Sequence, residues 1–335
     1  MSLNPANWPA SCRERLDEWI SQGAGQRLAA VFDFDNTLIS GDIGEATLAW
    51  LIREGRIPVR AEQCPPFKVN GRPVVAEATA DLASYYEALL SPTVHGSKDP
   101  TPLASGYVWA VQAMRDLTVR DVVCATEQVW AKSQPGQHPR IEVTTGGPSY
   151  PVPFFHAEML ELLAELLRNE FDVWIFSASN AWSVRWVVTR ILNPELKARG
   201  ATGIPAEHVI GITTLLRDDE GGLLKDAVLI RENPGYASLE DSLFLRLRLS
   251  SFLQFPVPAY SGKVAAIWDA ISRRPFLGAG DSPGDLPMLS FCERRLWLNR
   301  EGKTEYRRQM IQASRAEPDT WVEHWPRGGS LVRNV

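Results

Sequence analysis

Asp33 and Asp35 stand two apart in the stretch VFDFDNTLIS (31–40), directly after an apolar run from Leu28 to Phe32. The run reads as a short buried strand, and the polar residues as the turn that leaves it. Side chains two apart on a strand share a face, so both carboxylates can point together while Phe34 turns into the core. At the carboxyl end of a strand in an α/β sheet they occupy the place where such folds bind ligands. Two carboxylates so close repel unless a proton or cation lies between them, and a hard cation such as Mg²⁺ suits oxygen ligands. One of the pair could also attack an electrophile while its neighbour moves the proton. A capped turn, with Asn36 and Thr37 satisfying loop amides, accounts for the same residues without any chemistry.

Two further strand-then-loop junctions carry suitable side chains. A helical pattern over 154–169 leads into the apolar Val173-Trp174-Ile175-Phe176 and then Ser177-Ala178-Ser179-Asn180, with another helix predicted from Trp182 to Leu192. Near the end, Pro275 to Ala279 reads as a buried strand running into Gly280-Asp281-Ser282-Pro283-Gly284-Asp285, and Lys263 begins the helix that feeds it. Helix and strand alternating in this way is a βαβ pattern. Parallel strands bring their carboxyl ends to one edge, so Asp33, Asp35, Ser177, Lys263 and Asp281 can converge. The set supplies a nucleophile, an acid/base, a hydroxyl and a compact cation for an anion, and a third carboxylate for a metal.

Around these lie the elements that must hold them in place. A helix is predicted over 10–22, with Leu16, Trp19 and Ile20 on one face. From Gly41 to Val152 the pattern is helical (45–53, 75–90, 105–117, 119–132) with Pro- and Gly-rich connections, which makes a mostly helical insertion. Residues 209–216 and 223–230 flank a polar turn as a hairpin. Residues 232–260 show no clear pattern, and Leu296–Leu298 reads as a last short strand. There is no internal repeat and no low-complexity segment.

The chain has 335 residues, 44% of them apolar and 22% charged, with a net charge of −5 and a pI of about 5.7. That is an ordinary globular balance, large enough for a substantial core and a second domain. An acidic chain without a basic block argues against nucleic acid and against an anionic membrane surface as partners. Cys12, Cys64, Cys124 and Cys292 form no CxxC pair, so neither zinc nor a disulfide framework is expected. No apolar run approaches a membrane span, and the first residues lack the basic and apolar regions of a signal peptide. The expected compartment is the cytoplasm, or the periplasm or exterior if a leader has been removed.

With these motifs in order, the chain resembles the haloacid dehalogenase superfamily of phosphatases. The resemblance covers most of 28–300 and rests on DFDNT (33–37), Ser177 after VWIF, Lys263 in SGKVAAI, and GDSPGD (280–285). YVWAVQAM, FSASNAW and GAGDSPGDLPML look closest to the phosphoserine and phosphorylcholine phosphatase branch. The resemblance implies a three-layer, Rossmann-type α/β core with a parallel sheet, formed by 1–41 and 153–335, and a helical cap, 42–152, inserted after the first strand. It implies Mg²⁺-dependent hydrolysis of a small phosphomonoester. Asp33 would be the nucleophile and Asp35 the acid/base. Asn36, Thr37, Ser177, the Ala178 amide and Lys263 would cradle the phosphate. Asp33, the Asp35 carbonyl and Asp281 would hold the metal, and Asp285 would position Lys263 or a metal-bound water. Gly284 departs from the Asn usual in phosphoserine phosphatases. A phosphomutase or phosphotransferase, or a catalytically retired binding protein, are the competing expectations.

Asp42 lies nine residues after Asp33, where phosphoserine phosphatases place the acid that meets the substrate amine; it reads equally as a helix N-cap. Phosphocholine, phosphoserine or phosphoethanolamine are the expected substrates. Trp50, Tyr85, Tyr86, Tyr107, Trp109 and Trp130 could cage a cation, although Tyr85/Tyr86 and Tyr107/Trp109 can each offer only one ring to a given face, and core packing is the commoner role. Ser179 is expected to cap the following helix, Lys225 to be a solvated strand charge, and His156 to be a surface residue at a helix start. Trp321 and Trp325 are expected to pin the C-terminal tail. The oligomeric state is not legible.

Overall fold

The computed structural model describes residues 3–91, 106–135, 137, 139–226 and 246–326. In chain order, helix α1 (Ala10–Gly23) precedes strand β1 (Ala29–Phe32), and β2 (Ile39–Ser40) leads into α2 (Ile43–Arg53). A hairpin of β3 (Phe67–Val69) and β4 (Arg72–Val74) comes next, then helices α3 (Asp81–Leu89), α4 (Gly106–Ala113) and α5 (Val119–Trp130). A second hairpin, β5 (Arg140–Glu142) and β6 (Ser149–Pro151), and β7 (Phe154–Phe155) end the insertion. The two short hairpins are absent from the sequence reading because three-residue strands among Pro and Gly carry too few positions to show a period of two. The four helices lie within or close to the predicted spans, except that the one expected over 75–90 begins only at Asp81. A reciprocal capping box at Thr118 and Asp121 starts α5.

The chain then alternates. Helix α6 (Ala157–Arg168) feeds β8 (Asp172–Asn180), and α7 (Ala181–Val187) passes through a wide turn at Val188–Leu192 into α8 (Asn193–Ala198). After β9 (Val209–Ile212), strands β10 (Thr214–Arg217), β11 (Leu223–Leu224) and β12 (Arg248–Leu253) make a small antiparallel sheet in the order β11-β10-β12. The expected hairpin is present only at 214–224, because Val209–Ile212 instead joins the main sheet parallel to β8, and the third strand comes from the stretch that showed no pattern. Residues 227–245, including the rest of the predicted hairpin arm, lie outside the described residues. Helix α9 (Gly262–Ile271), β13 (Leu277–Gly280), α10 (Leu286–Phe291), β14 (Arg294–Leu298), α11 (Thr304–Ser314) and β15 (Trp321–His324) complete the fold.

Six strands form one sheet in the order β15-β14-β13-β1-β8-β9, every neighbouring pair parallel. Its two faces follow the alternation of the strands. Val31, Trp174, Phe176 and Trp297 pack against Ile267 of α9, Met288 and Leu289 of α10 and Met310 of α11. Ala30, Phe32, Val173, Ile175 and Leu296 turn the other way, into an apolar cluster with Leu16 and Ile20 of α1 and Leu162 and Leu163 of α6. Helices thus cover both faces, which is why the strands read as apolar runs. The expected α/β core is present, and α2 to α5 contribute no strand to its sheet. Their apolar residues join the second cluster, so insertion and sheet share one continuous interior. No described helix is long and apolar enough to cross a membrane.

Two peripheral expectations need correction. His156 is buried, 6% exposed, and its backbone N–H donates to the Leu38 carbonyl at 3.1 Å, because β7, just before it, pairs with β2. Trp325 is 51% exposed and pins nothing, whereas half-buried Trp321 lies under the Arg295 guanidinium. Burial holds the His156 imidazole at about 4 against its usual 6.5, Glu158 pulling it up and His324 pushing it down. The folded chain therefore prefers the neutral ring. That preference is intact above pH 6.5 and fades as pH falls towards 4, where the unfolded chain takes the proton first. Between pH 7 and 4.5, urea unfolding of the wild type should lose about 2 kcal/mol more than that of His156→Gln. Parallel pH profiles for the two proteins would show that burial does not bias this ring.

Candidate active site

The register of the sheet sets the site. Phe32 of β1 lies level with Ile175 of β8 and Ala279 of β13, so Asp33 and Asp281, just past the ends of β1 and β13, and Ser177, within β8, lie at one edge of three adjacent strands. Asp33 is tied down by its N–H donating to the Ala279 carbonyl at 2.9 Å. Beyond Asp35 the chain turns sharply. Asn36 takes the left-handed conformation (φ 58°), which asparagine tolerates, and its N–H donates to the carbonyl of Gly41 (φ 83°).

Four of the predicted residues are in direct contact. The Lys263 ammonium donates to Asp33 Oδ1 and to Asp285 Oδ1, both at 2.6 Å, and all three side chains are buried. Thr37 Oγ1 donates to Asp33 Oδ2 at 2.8 Å and lies 3.3 Å from Asp281 Oδ1. Its hydroxyl therefore orients carboxylates rather than pointing free into a phosphate site. Asp285 also accepts, at Oδ2, from the N–H groups of Asp281 and Ser282 and from the Ser282 hydroxyl. It folds the loop and holds the lysine together. Gly280 is required by this closeness, since a Cβ there would come within 2.6 Å of the Asp285 Cβ. Gly284, by contrast, has room: a Cβ would meet Ser282 and Tyr260 no closer than 3.4 Å.

Asp35 accepts from the Ile43 N–H at 2.7 Å and from Ser177 Oγ at 3.0 Å, and Ser177 Oγ in turn accepts from the Ser179 N–H. The predicted Asp35–Ser177 convergence is thus realised. Ser179 is not the cap of α7. Asn180 is, accepting from the Ser183 N–H, while the Ser179 hydroxyl donates to Asp42 at 3.1 Å. Asp42 caps α2 by accepting from the Glu45 N–H at 2.8 Å. Gly44 lets the strand approach, because a Cβ there would fall 2.3 Å from Ser179 Oγ. Lys225 is exposed, as expected of a solvated charge.

Burial dominates the electrostatics. It raises Asp33 to about 6, with Asp285 adding to it and Lys263 and Thr37 opposing. Burial raises Asp35 well above the usual carboxylate range, and Asp42 and Asp33 push the same way, which is the direction a general acid needs. Lys263 is lowered by burial but raised overall by Asp285 and Asp33, so it stays charged. Asp281 is raised well above the usual range by burial, against the pull of Arg300. One ligand oxygen each from Asp33, Asp281 and Asp285 lie within 4.8 Å of one another. With Mg²⁺–oxygen distances of about 2.1 Å, such spacings suit a divalent cation after small side-chain shifts, and buried like charges call for one.

Next to Asp35 and Ser179 opens a tight cleft, with room for about one water, between α2, α3, α4 and the end of β8. Asp42, Glu45, Tyr86, Tyr107 and Ala178 are among its lining. One ring comes from each adjacent pair, as side-chain geometry requires; Tyr85 and Trp109 instead pack together, 5.4 Å between centroids, in the core. Trp50 stacks under Arg53, and Trp130 packs on Phe155. The sequence reading missed two residues. Glu45, one helical turn after Asp42, accepts from the Tyr86 hydroxyl at 3.2 Å and is raised by burial, then by Asp42, to about 8. Arg300, beyond β14, donates to Asp281 Oδ2 at 3.0 Å. The i, i+3 spacing from Asp42 could have flagged Glu45; nothing local flags Arg300.

The fold, the four ordered segments and their convergence resemble those of phosphatases of the haloacid dehalogenase superfamily. A curated relative, the phosphorylcholine phosphatase of Pseudomonas aeruginosa, is 28% identical over 307 residues, 89% of this chain and 82% of that protein. A crystal structure of a conserved protein of unknown function from Anaerococcus prevotii shares the fold, with a TM-score of 0.60 at 20% identity over 94% of this chain and 92% of that one. A substrate-bound phosphoserine phosphatase aligns at a TM-score of 0.40 and 12% identity over 85% of this chain and 97% of its own, too loosely to bear on the site. No family model matches the chain.

Proposed function

We propose that the chain is a Mg²⁺-dependent phosphomonoesterase acting on a small substrate whose alcohol carries a positively charged nitrogen, through an aspartyl-phosphate on Asp33. Asp33 attacks phosphorus and the ester P–O bond breaks, with Asp35 giving its proton to the departing alcohol. Asp35 then takes a proton from water, which attacks the aspartyl-phosphate, releases phosphate and frees Asp33. Ser177, the Ala178 amide and Lys263 oppose charge on the phosphoryl oxygens, and Asn36 and Thr37 complete the turn that carries them. Asp33, Asp281 and the Asp35 carbonyl would hold Mg²⁺, and Asp285 would hold Lys263 beside it. When bound, the ion neutralises phosphoryl oxygens and orients the ester. Residues 42–152 serve in this reading as a cap over the cleft, and substrate gains access by cap opening.

The observation that carries the substrate class is the cleft itself. Two half-buried carboxylates, Asp42 and Glu45, face it with the rings of Tyr86 and Tyr107, beside Ser179. Carboxylates attract an ammonium, and ring faces attract a quaternary nitrogen that has no proton to donate. The relative named for phosphorylcholine supports the same class. A panel of phosphomonoesters with Mg²⁺ should give the highest kcat/KM for phosphocholine, phosphoethanolamine or phosphoserine. Asp42→Asn keeps the helix cap and removes only charge. It and Glu45→Gln should each raise KM for the cationic ester about tenfold or more and leave KM for p-nitrophenyl phosphate nearly unchanged. Preference for sugar phosphates would defeat the substrate class while leaving the chemistry, and transfer to sugar without net phosphate release would mean a mutase.

A further inference from the structure

We propose that Arg300 is a positioning residue for the metal site, acting by holding the Asp281 carboxylate in its ligating orientation. The inference rests on the Mg²⁺ reading above and adds a residue that none of the four motifs contains.

Three observations support it. First, Asp281 has a polar neighbour at each oxygen: Arg300 Nη1 at 3.0 Å from Oδ2, and Thr37 Oγ1 at 3.3 Å from Oδ1. The single Thr37 proton goes to the nearer Asp33 Oδ2, so Arg300 is the firm donor to Asp281, and the carboxylate keeps lone pairs for a cation. Second, the backbone that presents Arg300 is anchored. The Asn299 N–H donates to the His324 carbonyl at 2.7 Å, its side-chain amide to Glu323 at 3.1 Å, and Trp297 Nε1 donates to its oxygen at 3.2 Å. A guanidinium on so fixed a stem can set the direction of a buried side chain. Third, charge is scarce here. Asp33, Asp35, Asp42, Glu45, Asp281 and Asp285 crowd the site, and among the described residues only Lys263 and Arg300 form ion pairs with any of them. Lys263 pairs with Asp33 and Asp285, and Arg300 is the cation that pairs with Asp281.

The sign of the effect separates positioning from plain electrostatics. Deleting a cation beside a Mg²⁺ site should tighten binding of the ion if Coulomb repulsion were all that Arg300 supplied. Loss of an orienting partner weakens it, by about 10- to 100-fold where such partners have been removed from ligands. Isothermal titration of the full chain with Mg²⁺ alone, without substrate, reads this directly. Arg300→Gln should raise the Mg²⁺ dissociation constant about tenfold or more. Arg300→Lys, which keeps one donor to Asp281, should recover most of the loss. In saturating Mg²⁺, kcat of Arg300→Gln should return to near the wild-type value, because the orientation is restored by the ion. Melting of the metal-free proteins provides the check on folding, and Arg300→Lys carries the test if the glutamine variant does not fold. Mg²⁺ affinity unchanged or increased in Arg300→Gln overturns the proposal, as does a raised substrate KM with unchanged Mg²⁺ affinity, which would make Arg300 a substrate contact. Wild-type protein that binds no Mg²⁺ overturns both this inference and the metal reading beneath it.

Discussion

Asp33→Asn should reduce phosphate release by about 10⁴-fold or more, and no phosphorylated enzyme should be trapped. The substitution is close to isosteric, so the strand-end turn and the Thr37 contact have little reason to move. What changes is nucleophilicity, since a neutral amide oxygen cannot take the phosphoryl group and return it to water. Lys263 retains Asp285 at 2.6 Å, so the variant should stay folded and be a clean probe. Asp35→Asn offers the matching contrast. Its loss should be severe for an alkyl ester, whose alkoxide needs the proton, and milder in the first step for p-nitrophenyl phosphate, whose leaving group does not. Turnover of Asp33→Asn within tenfold of wild type would rule out an aspartyl-phosphate on this residue.

Much of this site was legible because each of its parts ends a strand. An apolar run followed by an acid or a small polar loop can be read locally, and three such junctions on parallel strands must share one edge. Hence Asp33, Asp35, Ser177, Lys263 and Asp281 could be named from spacing, with Asp285 added by the resemblance, and the structure brings them together. Residues whose role depends on which side chain another element presents were not readable in this way. Ser179 was expected to cap the next helix, but Asn180 has the better geometry and releases Ser179 to Asp42. Arg300 sits in a loop after an edge-side strand, 19 positions past its partner, with no periodicity to mark it. His156 looked like a surface residue because an aromatic pair precedes a helix start; only the pairing of β7 with β2 buries it. The aromatics divide along the same line. Local geometry said that one ring of each pair could face a cleft, but which one, Tyr86 and Tyr107, is settled by the packing of α3 on α4.

Lys263→Met should cost both activity and stability, and the two losses should respond differently to Mg²⁺. In the wild type one ammonium serves two buried carboxylates at 2.6 Å each, with Asp33 6% and Asp285 2% exposed. A methionine fills similar volume but leaves both acids without their cation in a place water barely reaches. Removing one partner of a buried ion pair typically costs about 3–5 kcal/mol, because the remaining charge is uncompensated. Without metal, urea unfolding of the variant should show a loss of that order. With Mg²⁺ the ion supplies positive charge to the same oxygens, and binding only the folded state it returns part of the stability. Activity should not recover in parallel. The lysine also faces charge that builds on the phosphoryl oxygens, and losing one such donor costs about 10²- to 10³-fold in kcat however much ion is added. Lys263→Arg should restore little, since a planar fork cannot replace a compact ammonium wedged between two carboxylates. Equal stability of Lys263→Met and wild type in the absence of metal would mean that this pair of contacts does not form in solution.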